Sequence, residues 1–434
     1  MHILVINLHS SKNLGDAAIT DETVRQLRAN FPDARITLAM NDPSSHPGGE
    51  NLDIVGSFKS WIYSIDKDRR EHWHVPAFPY YLFCAVAALT THGLFRNPLF
   101  LIRDPGKIQL LRAYFDADLV ISCGGNVLYT KRHLAVSFLW IVFSTLFAYY
   151  AGKPLYMFPQ SVGPFANPLH RHLARFVLSR MRLILVREEL SLQFVKTAAL
   201  PDVPCYQVPD AAFGLCPSAL PTCVAWLRCS EELRLTGIPQ VGITTINWGG
   251  QNPRFDGQVR YEKVLAGLIL YITAEMSGHV FLFSQVLGPS LAEDDSRIAR
   301  RVLERVAVGY SQVICVDSIQ SPSQLMAAYG CMDFVVGTRM HSNILALCAG
   351  VPVIAIGYMS KTRGIMRSLG LEEWTCDIET VNGPDLIALF RRGWEARQQI
   401  AAYLRTCIPE MRRSAERAGP LIARDWRAIQ EGKE

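Results

Sequence analysis

Short apolar runs rich in Val, Ile and Leu alternate along the chain with longer segments of mixed polarity. That rhythm predicts strands separated by helices. Residues 2–8 (HILVINL) read as a first buried strand and 17–30 as the helix after it, with Asp16 placed to cap the helix start. A strand over 34–40 follows. An irregular stretch at roughly 41–106, rich in Pro, His and aromatics, then interrupts the rhythm and reads as an insertion or a long flap. The alternation resumes with a strand at 118–123, an apolar helix at 134–151, strands at 154–158 and 182–186, and a helix near 168–180 between them.

Residues 214–238 break the pattern, and a second series begins at 241–246. It runs through strands at 279–284, 313–316, 331–336 and 351–356, with helices in the gaps, and ends in an amphipathic, Arg-rich helical tail from about 383. Strands separated by helices argue for parallel, doubly wound sheets. The expected fold class is α/β, with two Rossmann-like domains facing a cleft, the organisation of B-type glycosyltransferases. The expected boundaries are 1–225, 226–382 and a helical tail at 383–434.

Composition narrows the picture. The chain has 434 residues, 49% hydrophobic and 19% charged, enough for two packed cores. A net charge of +5 without a long basic block gives no footprint for nucleic acid. Eleven cysteines show no CxxC pair or zinc-like spacing, so a reducing, cytoplasmic setting and no metal are expected. The HxH pairs His72/His74 and His170/His172 lack acidic or cysteine ligands at useful spacing and read as non-ligating. The uncharged run 134–151 is at the lower limit for a membrane span. Between two strands of one sheet it reads instead as a fully buried helix. A weaker apolar run at 80–95 reads as a surface docking face and leaves peripheral membrane association, at the inner face, open.

The candidate chemistry lies at strand ends. Arg339 and His341 follow directly on the strand at 331–336, and Lys361 follows the strand at 351–356. In an open parallel sheet ligands bind beyond the carboxyl ends of the strands, and helix N-termini favour anions. Three basic groups without nearby acids predict one acidic ligand, because an unpaired buried charge is costly. Other candidates are Asn13, Gly15 and Asp16 after the first strand, Gly124, Gly125 and Asn126 after the strand at 118–123, and Gln160 and Ser161 in a Pro-flanked loop. Arg187, beside Glu188, Gln285, and Ser342 next to His341 complete the set. Each alone also fits a turn, a cap or a surface ion pair. Asp294 and Asp295 read as helix-dipole partners.

Taken together, NLGDAAI, CGGN, PQSVGPF, VREEL, VPDAAF, the glutamine-ended strand before EDD and RMHS…AGVPVIAIGYMSK resemble the polysaccharide pyruvyl transferase family in order, from about residue 3 to 370. The resemblance implies transfer of a pyruvyl group from phosphoenolpyruvate to sugar hydroxyls, giving a pyruvate ketal and phosphate, with no cofactor beyond the donor substrate. It implies that Arg339, His341 and Lys361 form the donor site. It also implies a saccharide acceptor on the first-domain side, where Asp16 or another polar group is the candidate base; the apolar surface and basic balance suit a lipid-linked saccharide. The alternative enzyme is a B-type glycosyltransferase with a nucleotide-sugar donor, although Lys361 and Arg363 stand where a ribose-binding acid is expected. A non-catalytic saccharide-binding protein is the alternative from another class.

Overall fold

The computed structural model describes residues 1–130, 135–197, 203–220, 225–252, 254–306, 310–316 and 318–432, without the side chains at 126, 127, 310 and 360. The chain divides into two compact units. The first comprises residues 1–11, 19–211 and 414–434, and the second residues 12–18 and 212–413.

Within the first unit the strands are β1 (His2–Leu8), β2 (Arg35–Met40), β3 (Leu52–Gly56), the small antiparallel hairpin β4 (Tyr63–Ile65) and β5 (Glu71–Trp73), β6 (Leu119–Ser122), β7 (Gly125–Leu128), β8 (Leu155–Val162), β9 (Leu183–Val186) and β10 (Cys205–Gln207). The main sheet runs β10-β9-β8-β6-β1-β2-β3, with β7 also pairing β8, and every pairing in it is parallel. Alternate residues of each strand feed two cores. Leu4, Ile6, Val120 and Met157 pack on one face, and Ile3, Val5, Ile121 and Phe158 on the other. Burial on both faces explains why these strands read as continuous apolar runs rather than alternating ones.

Helix α1 (Leu14–Asn30) follows β1, α2 (Phe78–Phe95) follows the hairpin, α3 (Pro105–Asp116) precedes β6, and α4 (Val136–Tyr150) lies between β7 and β8. The stretch read as an insertion contains a main-sheet strand, β3. Its pairing with β2 was hidden by the mixed sequence LDIVG. The apolar helix expected to be fully buried is α4. It sinks Phe138, Val142 and Phe147 but leaves Val136, Leu139, Tyr149 and Tyr150 exposed, so it is a half-buried face helix; Leu134 falls outside the described residues.

The second unit has one parallel sheet, ordered β13-β12-β11-β14-β15-β16. Its strands are β11 (Gln240–Thr244), β12 (His279–Phe283), β13 (Val313–Val316), β14 (Phe334–Gly337), β15 (Val353–Gly357) and β16 (Thr375–Asp377). From β11 the chain moves outward to β12 on one side and later returns to β14 on the other. The switch point of this sheet therefore lies between β11 and β14, where open α/β sheets take ligands.

The helical tail divides between the units. The helix Gly383–Ala415 lies with the second unit as far as Arg413, and its Phe390 packs edge-on against Phe334 of β14, ring centroids 5.4 Å apart. The helix Ala418–Gln430 belongs to the first unit, where Ala418, Ile422 and Ala423 enter the core and Asp425 accepts from the Tyr156 hydroxyl at 2.8 Å.

Candidate active site

At the switch point of the second unit, β14 ends at Gly337 and the chain is pinned to β11 by Thr338. Thr338 N donates to Thr244 Oγ1 at 2.9 Å, and Thr338 Oγ1 donates to the Thr244 carbonyl at 3.1 Å. Arg339, in extended backbone, is the residue before the helix Met340–Cys348, so His341 and Ser342 fall in its first turn. The next strand, β15, leads to the helix Ser360–Ser368, with Lys361 in that helix's first turn. Arg339, His341 and Lys361 thus leave the carboxyl ends of two paired strands at two helix N-termini, where free N–H groups and the dipole favour anions.

The expectation that these basic groups lack a nearby acid is corrected. Arg339 makes a bidentate ion pair with Asp295, Nη2 to Oδ1 at 2.6 Å and Nε to Oδ2 at 3.1 Å, and both residues are buried. Asp295 also accepts from Val286 N at 3.0 Å. Burial pushes the Asp295 carboxyl up to about 6, while Arg339's charge and hydrogen bonds pull it back. Burial opposes the Arg339 charge as well, but Asp295 outweighs it and holds the guanidinium protonated. Opening the helix Asp295–Val306, this residue reads in sequence as a dipole partner. Its side chain turns back to the end of β12, a contact no local spacing announces. A guanidinium carries five donors, and the carboxylate engages two of them. Asp295 therefore fixes the fork's orientation and leaves it capacity for an anion. Tyr358, pushed up mainly by burial, lies in the electrostatic reach of Arg339 and packs on Trp248 with ring centroids 4.6 Å apart.

Gln285, just past β12, accepts a hydrogen bond from the Ser342 hydroxyl. Residues 12–18, expected with the acceptor-side domain, belong to the second unit instead. Leu14 N donates to the Gln285 carbonyl at 3.1 Å, Leu287 N donates to the Lys12 carbonyl at 2.9 Å, and Asn13 bridges Val286. These bonds tie the segment to the end of β12 and bring Gly15 against His341. A Cβ built on Gly15 would collide with the imidazole and lie 2.7 Å from Gln285 Nε2. Asn13, rather than Asp16, occupies the capping position, its Oδ1 accepting from Gly15 N at 3.0 Å. Asp16 lies in the first helical turn and accepts from Asn13 Nδ2 at 2.9 Å. Asn13, Gly15, Asp16, Gln285, Arg339, His341, Ser342 and Lys361 therefore all belong to the second unit.

The remaining candidates gather in the first unit. The PQSV segment is not a loop but the end of β8, after a register shift between Met157 and Gln160, and Gly125 of β7 pairs with Gln160. Gly124 touches the chain closely enough that a Cβ would lie 2.6 Å from the Pro159 carbonyl oxygen. Arg187 is not a surface residue. Buried, it donates to Asp210 Oδ2 at 2.6 Å and to Ser161 Oγ at 2.7 Å, with Glu188 3.3 Å away. Gln160 is fully buried beside this network. The Asn126 side chain lies outside the described residues. His72 pairs with Asp66 at 2.7 Å, and His170 bonds the Thr130 hydroxyl at 3.0 Å. Among the described residues no three His, Cys, Asp or Glu side chains gather as a metal site.

Two Rossmann-like α/β units, each built on a parallel sheet, define the fold class of B-type glycosyltransferases. Solved structures with this fold match the whole chain: sucrose-phosphate synthase from Thermosynechococcus elongatus (TM-score 0.56, 13% identity, 100% of each chain) and a UDP-N-acetylglucosamine 2-epimerase from Listeria monocytogenes, assigned as putative (TM-score 0.56, 11% identity, 100% of this chain and 97% of that one). The polysaccharide pyruvyl transferase family model matches residues 13–360, and the chain belongs to that family. It is a transferase. The amylovoran biosynthesis protein AmsJ of Erwinia amylovora is 25% identical over 404 residues, 89% of this chain and 91% of the relative.

Proposed function

We propose that the protein transfers the pyruvyl group of phosphoenolpyruvate to two hydroxyls of a saccharide, forming a ketal and releasing phosphate, in the synthesis of an extracellular polysaccharide. The observation that carries this reading is the placement of Arg339, His341 and Lys361 at two adjacent helix N-termini of one sheet, in a chain of this family. Phosphoenolpyruvate carries the carboxylate and phosphate that such a constellation suits. AmsJ, named for amylovoran biosynthesis, supports the polysaccharide setting.

The chemistry assigns each group a task. Arg339, oriented by Asp295, grips a donor oxygen pair with its remaining N–H groups. His341 gives a proton to the methylene carbon, and the double-bond electrons leave C2 oxocarbenium-like. One sugar hydroxyl adds to C2 and loses its proton. A second then displaces phosphate, whose growing charge Lys361 and the helix N–H groups stabilise. Asp16, in the same unit as His341, is the candidate acceptor-side base.

The test is purified protein with phosphoenolpyruvate and a panel of glycans, read by phosphate release and by the mass of the glycan. His341→Ala and Arg339→Ala each lower turnover by at least about 100-fold, and Arg339→Lys does not restore it, since lysine lacks the planar fork. Full turnover of a folded His341→Ala protein removes the general-acid role. Release of a nucleoside diphosphate from a nucleotide sugar, with no use of phosphoenolpyruvate, overturns the reading.

A further inference from the structure

Helix α2 breaks the usual economy of a surface helix, in which an apolar stripe faces the core and a polar face meets water. Its inner stripe is small and well seated: Cys84, Ala85 and Ala88 are buried in the first unit's core. Its outer face is also apolar. Tyr80, Phe83 and Val86 stand exposed along it, with Phe83 62% exposed, and Leu94 and Phe95 at its end reach 71% and 72%. The chain then doubles back beside the helix, Leu99 N donating to Thr91 Oγ1 at 2.8 Å and the Tyr80 hydroxyl donating to the Leu101 carbonyl at 3.2 Å. That return adds exposed Leu99 and Leu101. Phe78 packs edge-on against Trp140 of α4, whose neighbours Val136 and Leu139 are exposed too. Singly exposed apolar residues are ordinary, but a run of this extent on one edge marks an interaction surface.

Charge selects the partner. No Asp or Glu occurs between Glu71 and Asp104, while Arg96 and Arg103 flank the helix and its return. Both arginines are exposed, and Arg103 lies close enough to Tyr80 to act on its phenol electrostatically. Asp104, the next acid, is engaged by Lys107 at 2.9 Å. Two copies of this face brought together would set arginines against arginines, with no carboxylate from the helix or its return to receive them. Anionic lipid headgroups meet both demands at once, taking the cations at the rim and the apolar side chains below it. Trp73 and Tyr80, exposed at the start of the patch, are the residue types that settle at a bilayer interface.

The segment Val75–Phe95 is long and apolar enough to cross a bilayer by composition. Spanning, however, would withdraw Cys84, Ala85 and Ala88 from the core and break the ring contacts of Phe78 with Trp140 and of Trp61 with Tyr81. Lying in the plane of the interface keeps the inner stripe in the protein and buries the outer one. We infer that α2 and its return to Arg103 form an in-plane docking face for a membrane surface rich in anionic phospholipid. The inference is independent of the donor chemistry proposed above.

The test is sedimentation of the full chain with vesicles of equal parts phosphatidylglycerol and phosphatidylcholine, against pure phosphatidylcholine. The wild type is expected to pellet with the anionic vesicles and to be released by high salt in part. The triple variant Phe83→Ser, Leu94→Ser, Phe95→Ser changes only exposed side chains and should lose at least about tenfold in vesicle affinity. The pair Arg96→Gln, Arg103→Gln should weaken binding to anionic vesicles alone. Unchanged thermal unfolding checks that each variant is folded. Wild-type protein that stays in the supernatant at all lipid concentrations overturns the inference, as does a folded triple variant that binds undiminished. A wild-type dimer that the triple variant converts to monomer, without vesicle binding, assigns the face to a second copy and equally overturns it.

Discussion

At the scale of single residues, the site depends on what is missing as much as on what is present. Gly15 has no Cβ, and the imidazole of His341 occupies the space one would fill. Gly15→Ala must therefore push His341 away from its position, and displacements of the order of 1 Å cost about 100-fold in a positioned reaction. A loss of turnover of that order is expected in Gly15→Ala with little change in melting temperature. Near-wild-type turnover would separate Gly15 from the chemistry. Asp295 makes a second residue-scale prediction, with an unusual sign. Its pKa is raised from the ordinary 3.8 to about 6, with burial the main cause. The folded state thus keeps the proton that the unfolded chain has already released. The contribution of this group to stability is full below about pH 4, declines as pH rises and is gone above about pH 6, opposite to an ordinary salt-bridged carboxylate. Unfolding of wild type and Asp295→Asn across that window should show wild type losing ground as pH rises. A difference that stays constant, or grows with pH, would show the pair holding the carboxyl at or below its ordinary value.

At the scale of elements, legibility followed how local each cause is. The strands β1, β6, β8, β11, β12, β14 and β15 were readable because burial on both faces leaves an uninterrupted apolar run. The βαβ placement of Arg339, His341 and Lys361 was readable because it needs only two strands and the helices after them. What escaped the sequence was set by partners distant along the chain. PQSV looked like a loop between prolines, yet β7 and β9 flank it and hold it as strand. Arg187 reads in sequence as half of a surface ion pair, yet Asp210 and Ser161 close around it. Asp295 and Arg339 are 44 residues apart, and nothing in either neighbourhood names the other. The α4 helix shows the converse limit: its lack of charge was plain, but which side chains would face water depended on packing that composition does not encode.

At the scale of the whole molecule, the chain order and the compact units do not coincide. Residues 12–18 lie with the second unit although they follow β1, and residues 414–434 lie with the first although they end the chain. The first unit is therefore incomplete until its last helix is made. Ile422 is fully buried in the core that also holds Ile3, Val5 and Phe158, and Asp425 takes hydrogen bonds from Tyr156 at 2.8 Å and Arg182 at 3.2 Å. Gly419 N donates to Gln26 Oε1 of α1 at 2.9 Å, anchoring the same helix to the start of the fold. Truncation after Arg413 should expose this core face and destabilise the first unit while the β11–β16 sheet keeps its own packing. Hydrogen exchange is the discriminating measurement, with protection expected to fall in β1, β8 and α1 and to persist in β14 and β15. The milder substitution Ile422→Ala should cost about 2–4 kcal/mol, as for other buried Ile-to-Ala changes. Equal loss of protection in both sheets would mean that the two units unfold as one cooperative body, and that the tail stabilises the whole rather than the part it packs on.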